Sequence, residues 1–160
     1  MQNILIFGNS ASGKSTLAKK LSTTHHLAHL DLDTLAWEPS TPPKRTALNK
    51  VQPIILAFIR ENSTWVIEGC YADLLDIAKP YTTEMIFMNL PIEQCIANAK
   101  NRPWEPHKYS SKAAQDKNLT MLIDWISDYP FRNDELSKAA HTKLYEQFSG
   151  NKRKVTSNKQ

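Results

Sequence analysis

Cysteine is nearly absent from this 160-residue chain. Its two thiols, Cys70 and Cys95, stand alone, with no metal-ligand spacing around them and too few of them to build a disulfide framework. Buried or incidental thiols are expected. Long apolar runs are missing too: the longest, Ile54-Ile55-Leu56-Ala57-Phe58-Ile59, falls far short of the roughly 20 residues a membrane helix needs. The first residues lack the cationic start and apolar stretch of a secretory leader, so a cytoplasmic protein without a membrane partner is expected. Neither Asn-Lys-x-Asp nor Asp-x-x-Gly occurs, which speaks against a GTPase switch. There are no internal repeats and no low-complexity tracts. Net charge is only +4, with cations gathered late at Lys152, Arg153, Lys154 and Lys159. Such a tail could attract phosphate-rich partners or simply solvate the terminus, and a nucleic-acid partner is not expected. The length suits one domain, 1–160, large enough to bury a core.

Glycine is equally scarce, four in all, yet two of them bound one short loop. The apolar run Asn3-Ile4-Leu5-Ile6-Phe7 is followed by Gly8-Asn9-Ser10-Ala11-Ser12-Gly13-Lys14-Ser15, and Thr16-Leu17-Ala18-Lys19-Lys20-Leu21 continues as a helical pattern. Strand, loop ending in Gly-Lys-Ser, and helix together make a phosphate-binding loop of the Walker A type. Backbone amides can surround a polyphosphate only where the chain bends tightly and no side chain blocks the approach, which is what Gly8 and Gly13 permit. Lys14 is the cation for the β- and γ-phosphates, and Ser15 offers a hydroxyl to Mg²⁺. The helix behind them turns its positive end toward the anion, and Thr16 extends the polar lip. A nucleoside triphosphate, ATP, is therefore the expected ligand, with residues 8–16 as its cradle.

The remaining chain alternates strands and helices. His29 to Asp33 reads as a second strand, Trp65 to Gly69 as a third, Met85 to Leu90 as a fourth stopped by Pro91, and Lys152 to Thr156 as a last short one. Trp37 to Arg45, with Pro39, Pro42 and Pro43, reads as a loop. Helices are expected over 46–62, with Pro53 marking a kink or break, and over 92–101, 117–129 and 134–149. Near-continuous apolar strands joined through helices imply right-handed crossovers. The fold class is thus α/β, a three-layer arrangement with a parallel five-stranded sheet flanked by helices.

In such a sheet ligands collect at the carboxyl edge, where Asp31, Asp33, Glu68 and Asn89 would arrive beside the loop. A carboxylate there can hold Mg²⁺, directly or through water, or take the proton of an attacking hydroxyl. Asp33 and Glu68 are the candidates for the metal together with Ser15. The competing roles are an N-cap for Asp33, ahead of Thr34-Leu35-Ala36, and a solvated strand end for Glu68.

These segments resemble the small phosphate-loop kinases of the adenylate, shikimate and gluconate kinase type, and most closely the adenylate-kinase-related topology modulation proteins. The resemblance rests on Gly8 to Thr16, Leu30-Asp31-Leu32-Asp33 with Trp37, Trp65 to Tyr71, and Ile86 to Pro91. It implies the P-loop NTPase fold. It also implies that Asp31 and Asp33 serve Mg²⁺ and the acceptor hydroxyl, and that a helical lid around 100–133 brings a cation such as Arg102 or Arg132 over the phosphates. For Arg102 the alternative is a cation favoured at a helix end. The arginine repeat usual after the fourth strand reads here Ala97-Asn98-Ala99-Lys100-Asn101-Arg102, and the family's final helix has no counterpart. Trp37, Tyr71, Trp104 and Trp125 could line an acceptor pocket, stack on a base, or fill core and edges. The expected activity is an ATP-dependent phosphotransferase with Lys14, Asp33 and Arg102 as its catalytic residues and Asp31, Asp33, Trp37 and Tyr71 around a small acceptor. The alternative is a nucleotide-binding regulator linked to DNA topology, without kinase activity.

Overall fold

The computed structural model describes residues 2–158. Its elements run β1 (Asn3–Gly8), α1 (Lys14–His25), β2 (Ala28–Asp31), α2 (Asp33–Ala36), β3 (Trp37–Glu38), β4 (Lys44–Arg45), α3 (Leu48–Glu61), β5 (Trp65–Gly69), α4 (Ala72–Ala78), β6 (Glu84–Met88), α5 (Ile92–Lys100), α6 (Lys112–Ser127), α7 (Lys138–Gln147) and β7 (Asn151–Val155). Five strands form one all-parallel sheet in the order β2-β5-β1-β6-β7.

Strand alternation explains the layers. Leu5 and Phe7 of β1, Trp65 and Ile67 of β5, and Met85 and Phe87 of β6 pack on one face against Val51 and Ile55 of α3, Leu74 and Leu75 of α4, and Leu144 of α7. Their neighbours one residue along, Ile4, Ile6, Val66, Ile86 and Met88, pack on the other face with Ala18 of α1, Cys95 of α5 and Ile126 of α6. Because helices cover both faces, these strands need apolar residues at every position, as parallel strands do. Each fully buried large side chain contributes about 1.5–3 kcal/mol, so the sheet is a rigid base for whatever its carboxyl edge carries.

That edge is shaped by a crossover. The chain leaves β1 through α1 to reach β2 but lets β5 slot between them, so β1, β5 and β2 end side by side with the β1–α1 loop above them. Register places Asp31 opposite Glu68, and Ile6 opposite Glu68 from the other side.

Several local expectations shift. Pro53 neither breaks nor ends α3, which runs through it, anchored by buried Val51 and Ile55 on either side. The missing N–H costs one intrahelical bond, which the buried face offsets. α6 starts at Lys112 rather than 117 because the Ser111 hydroxyl caps it, accepting from the Ala114 amide. α7 starts at Lys138 in the same way, behind Ser137 and the Ala140 amide. The proline-rich stretch contains the antiparallel pair β3–β4, with Trp37 opposite Arg45. The seven-residue α4 lies between the third and fourth strands of the sheet, where no element was expected. Among the described residues, no helix is long and apolar enough to cross a membrane.

Candidate functional site

Between β1 and α1 the backbone takes conformations that few sequences allow. Gly8 has φ +151° and Gly13 φ +92°, and Ala11 sits between them at φ +59°. A Cβ on Gly8 would run into the Met88 carbonyl oxygen, so glycine is required there by packing as well as by torsion. A non-glycine residue held in the left-handed region stores strain of about 1–3 kcal/mol, which surrounding structure must hold in place. Here Asn98 of α5 donates to the Ala11 carbonyl at 2.9 Å and to the Asn158 side-chain oxygen at 2.9 Å, while Asn158 donates to the Ser12 carbonyl at 3.2 Å. Asn9 turns its side chain back, donating to the Ile126 carbonyl at 3.2 Å and accepting from the Ser10 amide at 2.8 Å. The loop is thus tied to α5, to the end of α6 and to the chain beyond β7.

The inside of the loop holds donors with little to bind. Among the described residues no side chain caps α1, which leaves its first amides open. Lys14 folds its ammonium onto the Asn9 carbonyl at 2.7 Å. The Ser12 hydroxyl is fully buried and, among the described residues, has no hydrogen-bond partner. A buried orphan hydroxyl, a lysine parked on a carbonyl and an uncapped helix N-terminus together fit a polyphosphate.

Beside the loop stands a buried acid. Glu68 at the end of β5 is 1% exposed, so it is no solvated strand end. Its Oε1 accepts from the Ser15 hydroxyl at 2.7 Å and its Oε2 accepts from His29 Nε2 at 2.7 Å. Among the described residues no three His, Cys, Asp or Glu side chains converge on a metal position. The Ser15 and Glu68 oxygens do fit Mg²⁺, which takes one or two protein oxygens, keeps several waters and draws its other ligands from phosphate. Asp31, opposite Glu68, has its pKa raised by burial first and then by the negative charges of Asp33 and Glu68.

Asp33 faces elsewhere. The residue before α2 is Leu32, so Asp33 does not cap that helix, and its amide instead donates to Asp31 Oδ1 at 2.9 Å. Its own carboxylate accepts the Tyr71 hydroxyl at 2.5 Å, and that hydroxyl oxygen accepts from Trp37 Nε1 at 2.8 Å. Burial, with the charges of Cys70 and Asp33 behind it, pushes the Tyr71 pKa far up, so the phenol stays a donor. The Arg45 guanidinium lies over the Tyr71 ring at 4.8 Å and is held by Glu135 at 2.8 Å and by both Asp73 oxygens at 3.0 and 3.1 Å. Trp37 is 40% exposed, and its indole completes the rim.

Of the two cations expected over the phosphates, Arg102 lies between α5 and α6 and Arg132 between α6 and α7. Arg102 pairs with Glu105 at 3.4 Å, and Lys108 lies 3.5 Å from Glu105 and 3.9 Å from Asp33 Oδ2. Arg132 stacks on Trp125 at 3.7 Å and donates to the Trp125 and Leu136 carbonyls, holding the α6–α7 turn. Trp104 is half exposed and donates to the Tyr109 carbonyl.

No family model matches the chain, and no curated protein matches it. Solved structures do. A gluconokinase from Sinorhizobium meliloti superposes with a TM-score of 0.54 at 13% identity, covering 99% of this chain and 84% of its own. The YorR protein from Bacillus subtilis, solved in complex with phosphorylated GDP, gives 0.50 at 9% identity over 96% of this chain and 85% of its own. The chain thus shares the fold of these structures, a three-layer α/β phosphate-loop fold with a parallel five-stranded sheet. At such identities the likeness extends to the fold alone.

Within that fold, two groups of the expected residues are brought together: Ser15 with Glu68 below the loop, and Asp31, Asp33, Tyr71 and Trp37 beside it. Arg102 is turned to Glu105 instead. Sequence reasoning passed over His29, Arg45, Asn98 and Asn158. The only available signal for His29 was its place two residues before Asp31 on a short strand, which puts both side chains on the face of Glu68. Asn98, Asn158 and Arg45 gave none, because the hydrogen bonds that tie them to the loop or to the acids around the site reach residues 28 to 146 positions away.

Proposed function

We propose that the protein is an ATP-dependent phosphotransferase acting on a small hydroxyl-bearing acceptor, with residues 8–16 holding the nucleotide and residues 100–133 acting as its lid. The reading is carried by one observation: Ser15, next to Lys14 at the start of α1, donates to the buried Glu68 carboxylate, and across the sheet from Glu68 lies Asp31, which accepts from the Asp33 amide. Kinase catalysis is largely positioning and charge stabilisation, and these are the parts it needs.

In this reading Lys14 leaves the Asn9 carbonyl for the β- and γ-phosphates. Mg²⁺, when bound, neutralises phosphate charge, and Ser15 with Glu68 would hold it. The acceptor hydroxyl loses its proton to Asp33 as its oxygen bonds to the γ-phosphorus and the bond to the bridging oxygen breaks, releasing ADP. The Tyr71 hydroxyl occupies Asp33 Oδ1, leaving Oδ2 for that proton. Trp37 fixes the Tyr71 hydroxyl, and Arg45 flattened on the Tyr71 ring stiffens the wall. Lys108 is the lid cation nearest Asp33, with Arg102 held in reserve on Glu105.

The regulator reading draws little from the basic run in β7, since Lys152 and Lys154 lie over the Tyr145 ring and Arg153 approaches Glu84. Coupled ADP-release assays across nucleotides, sugar acids and shikimate-like alcohols test the proposal. Turnover with at least one acceptor, lost in Lys14→Ala, is expected. Tight ATP binding with no turnover on any acceptor would leave a binding protein instead.

A further inference from the structure

We infer that His29 is a positioning residue for the metal site: it holds Glu68 so that Glu68 in turn holds the Ser15 hydroxyl, and it thereby sets the affinity for Mg²⁺-nucleotide. The inference rests on the nucleotide-binding reading above and adds a residue that neither the loop nor the acid pair contains.

A carboxylate has only acceptors, two oxygens able to rotate about the side chain's last bond. At 1% exposure it has little water to satisfy them. Ser15 fills one oxygen at 2.7 Å and His29 fills the other at 2.7 Å. The His29 hydrogen sits on Nε2, because a carboxylate has none to give. His29 pairs with Val66 in the sheet register, while Glu68 lies two residues further along β5 on the same face, so the contact is a diagonal one fixed by two paired strands. Strand backbone holds both ends of this bond, which makes it a stiff support.

The consequence concerns the direction of a lone pair. With its O–H committed to Glu68 Oε1, the Ser15 oxygen is free to present its lone pairs to a cation while keeping its proton. Release Oε2 from His29 and the carboxylate can turn, the Ser15 hydrogen loses its fixed acceptor, and the lone pairs lose their aim. Outer partners of this kind orient metal ligands generally, and removing one typically costs about 10- to 100-fold in metal affinity. His29 is 21% exposed on its side chain, enough to be replaced without opening the core.

The test is nucleotide binding by calorimetry, with saturating Mg²⁺ and separately in EDTA, for the wild type, His29→Ala and His29→Gln. His29→Ala is expected to weaken the Mg²⁺-nucleotide complex about 10- to 100-fold and to leave metal-free nucleotide binding within two- to three-fold. His29→Gln, whose amide N–H can reach the same carboxylate oxygen, is expected to recover most of the loss. Equal weakening with and without Mg²⁺, an unchanged His29→Ala, or a Gln variant as impaired as the Ala variant would each overturn the assignment. Failure of the wild type to bind nucleotide under either condition would overturn the nucleotide reading itself, and the two failures are thereby told apart.

Discussion

Acid should destabilise this fold through one residue before most carboxylates begin to titrate. His141 of α7 is fully buried, its ring 5.7 Å from Phe7 and 6.1 Å from Phe87. Nε2 donates to the Cys70 carbonyl at 2.7 Å, since a carbonyl can only accept, and so Nδ1 must accept from the Tyr129 hydroxyl at 2.7 Å. In the neutral form both ring nitrogens are thereby satisfied, and a positive charge here would have to be buried among apolar rings. Burial accordingly lowers the pKa from 6.5 to about 4. A lowered histidine pKa means that the unfolded chain takes up a proton first as pH falls. The stability is therefore intact above about pH 6.5 and drains away between there and about pH 4. With 1.36 kcal/mol per pH unit as the limiting slope, the loss between pH 7 and pH 5 is about 2 kcal/mol. That is a sizeable part of the ~5–15 kcal/mol of a typical domain. Urea unfolding of wild type and His141→Gln at pH 7, 6 and 5 measures it. The variant is expected to be less stable at pH 7 but to lose about 2 kcal/mol less on going to pH 5, because the other acid-titrating groups are common to both. Parallel pH profiles for the two proteins would show that the buried imidazole protonates as readily in the fold as outside it.

Other expectations concern the site. Gly8→Ala puts a Cβ against the Met88 carbonyl at a φ of +151°, and thermal melting should show destabilisation of more than about 1 kcal/mol. Tyr71→Phe removes the donor to Asp33 while keeping the ring; kcat should fall roughly ten-fold with nucleotide affinity unchanged, and an altered affinity would place Tyr71 on the nucleotide side instead. Asn98→Ala unties the left-handed turn at Ala11 from α5 and the chain beyond β7. Losing about 1 kcal/mol of loop order should weaken nucleotide binding about five-fold in a fluorescence titration.

What was legible in the sequence was what is local. Gly8, Gly13, Lys14 and Ser15 mark their turn because the residues that shape it lie within eight consecutive positions, two of them glycines at positive φ. The strands carry their own apolar signal because both faces of the sheet are covered. α4 escaped notice because Leu74, Leu75 and Ala78 span little more than one turn, too short for a helical period to emerge. The β3–β4 pair was hidden because two-residue strands inside a proline-rich stretch have no alternation to read. Boundaries of α6 and α7 moved to Ser111 and Ser137, whose caps could have been read directly from the serines. The site divides along the same line. Glu68 was visible as an acid at a strand end, but its being buried between Ser15 and His29 depends on how three strands align. The Asp33–Tyr71–Trp37 chain joins residues 34 to 38 apart through side-chain atoms alone. Arg45 looks in sequence like one more basic loop residue, and only the fold shows it committed to Asp73 and Glu135.

If the β1–α1 loop holds a nucleotide's phosphates, Lys14 is their cation. Calorimetric titration of Mg²⁺-ATP into wild type and Lys14→Ala tests it most directly. A saturable one-to-one heat for the wild type is predicted, weakened roughly 10- to 100-fold by losing a charge-assisted hydrogen bond in the variant. Wild-type protein that gives no heat, or a variant that binds as tightly as the wild type, would contradict it.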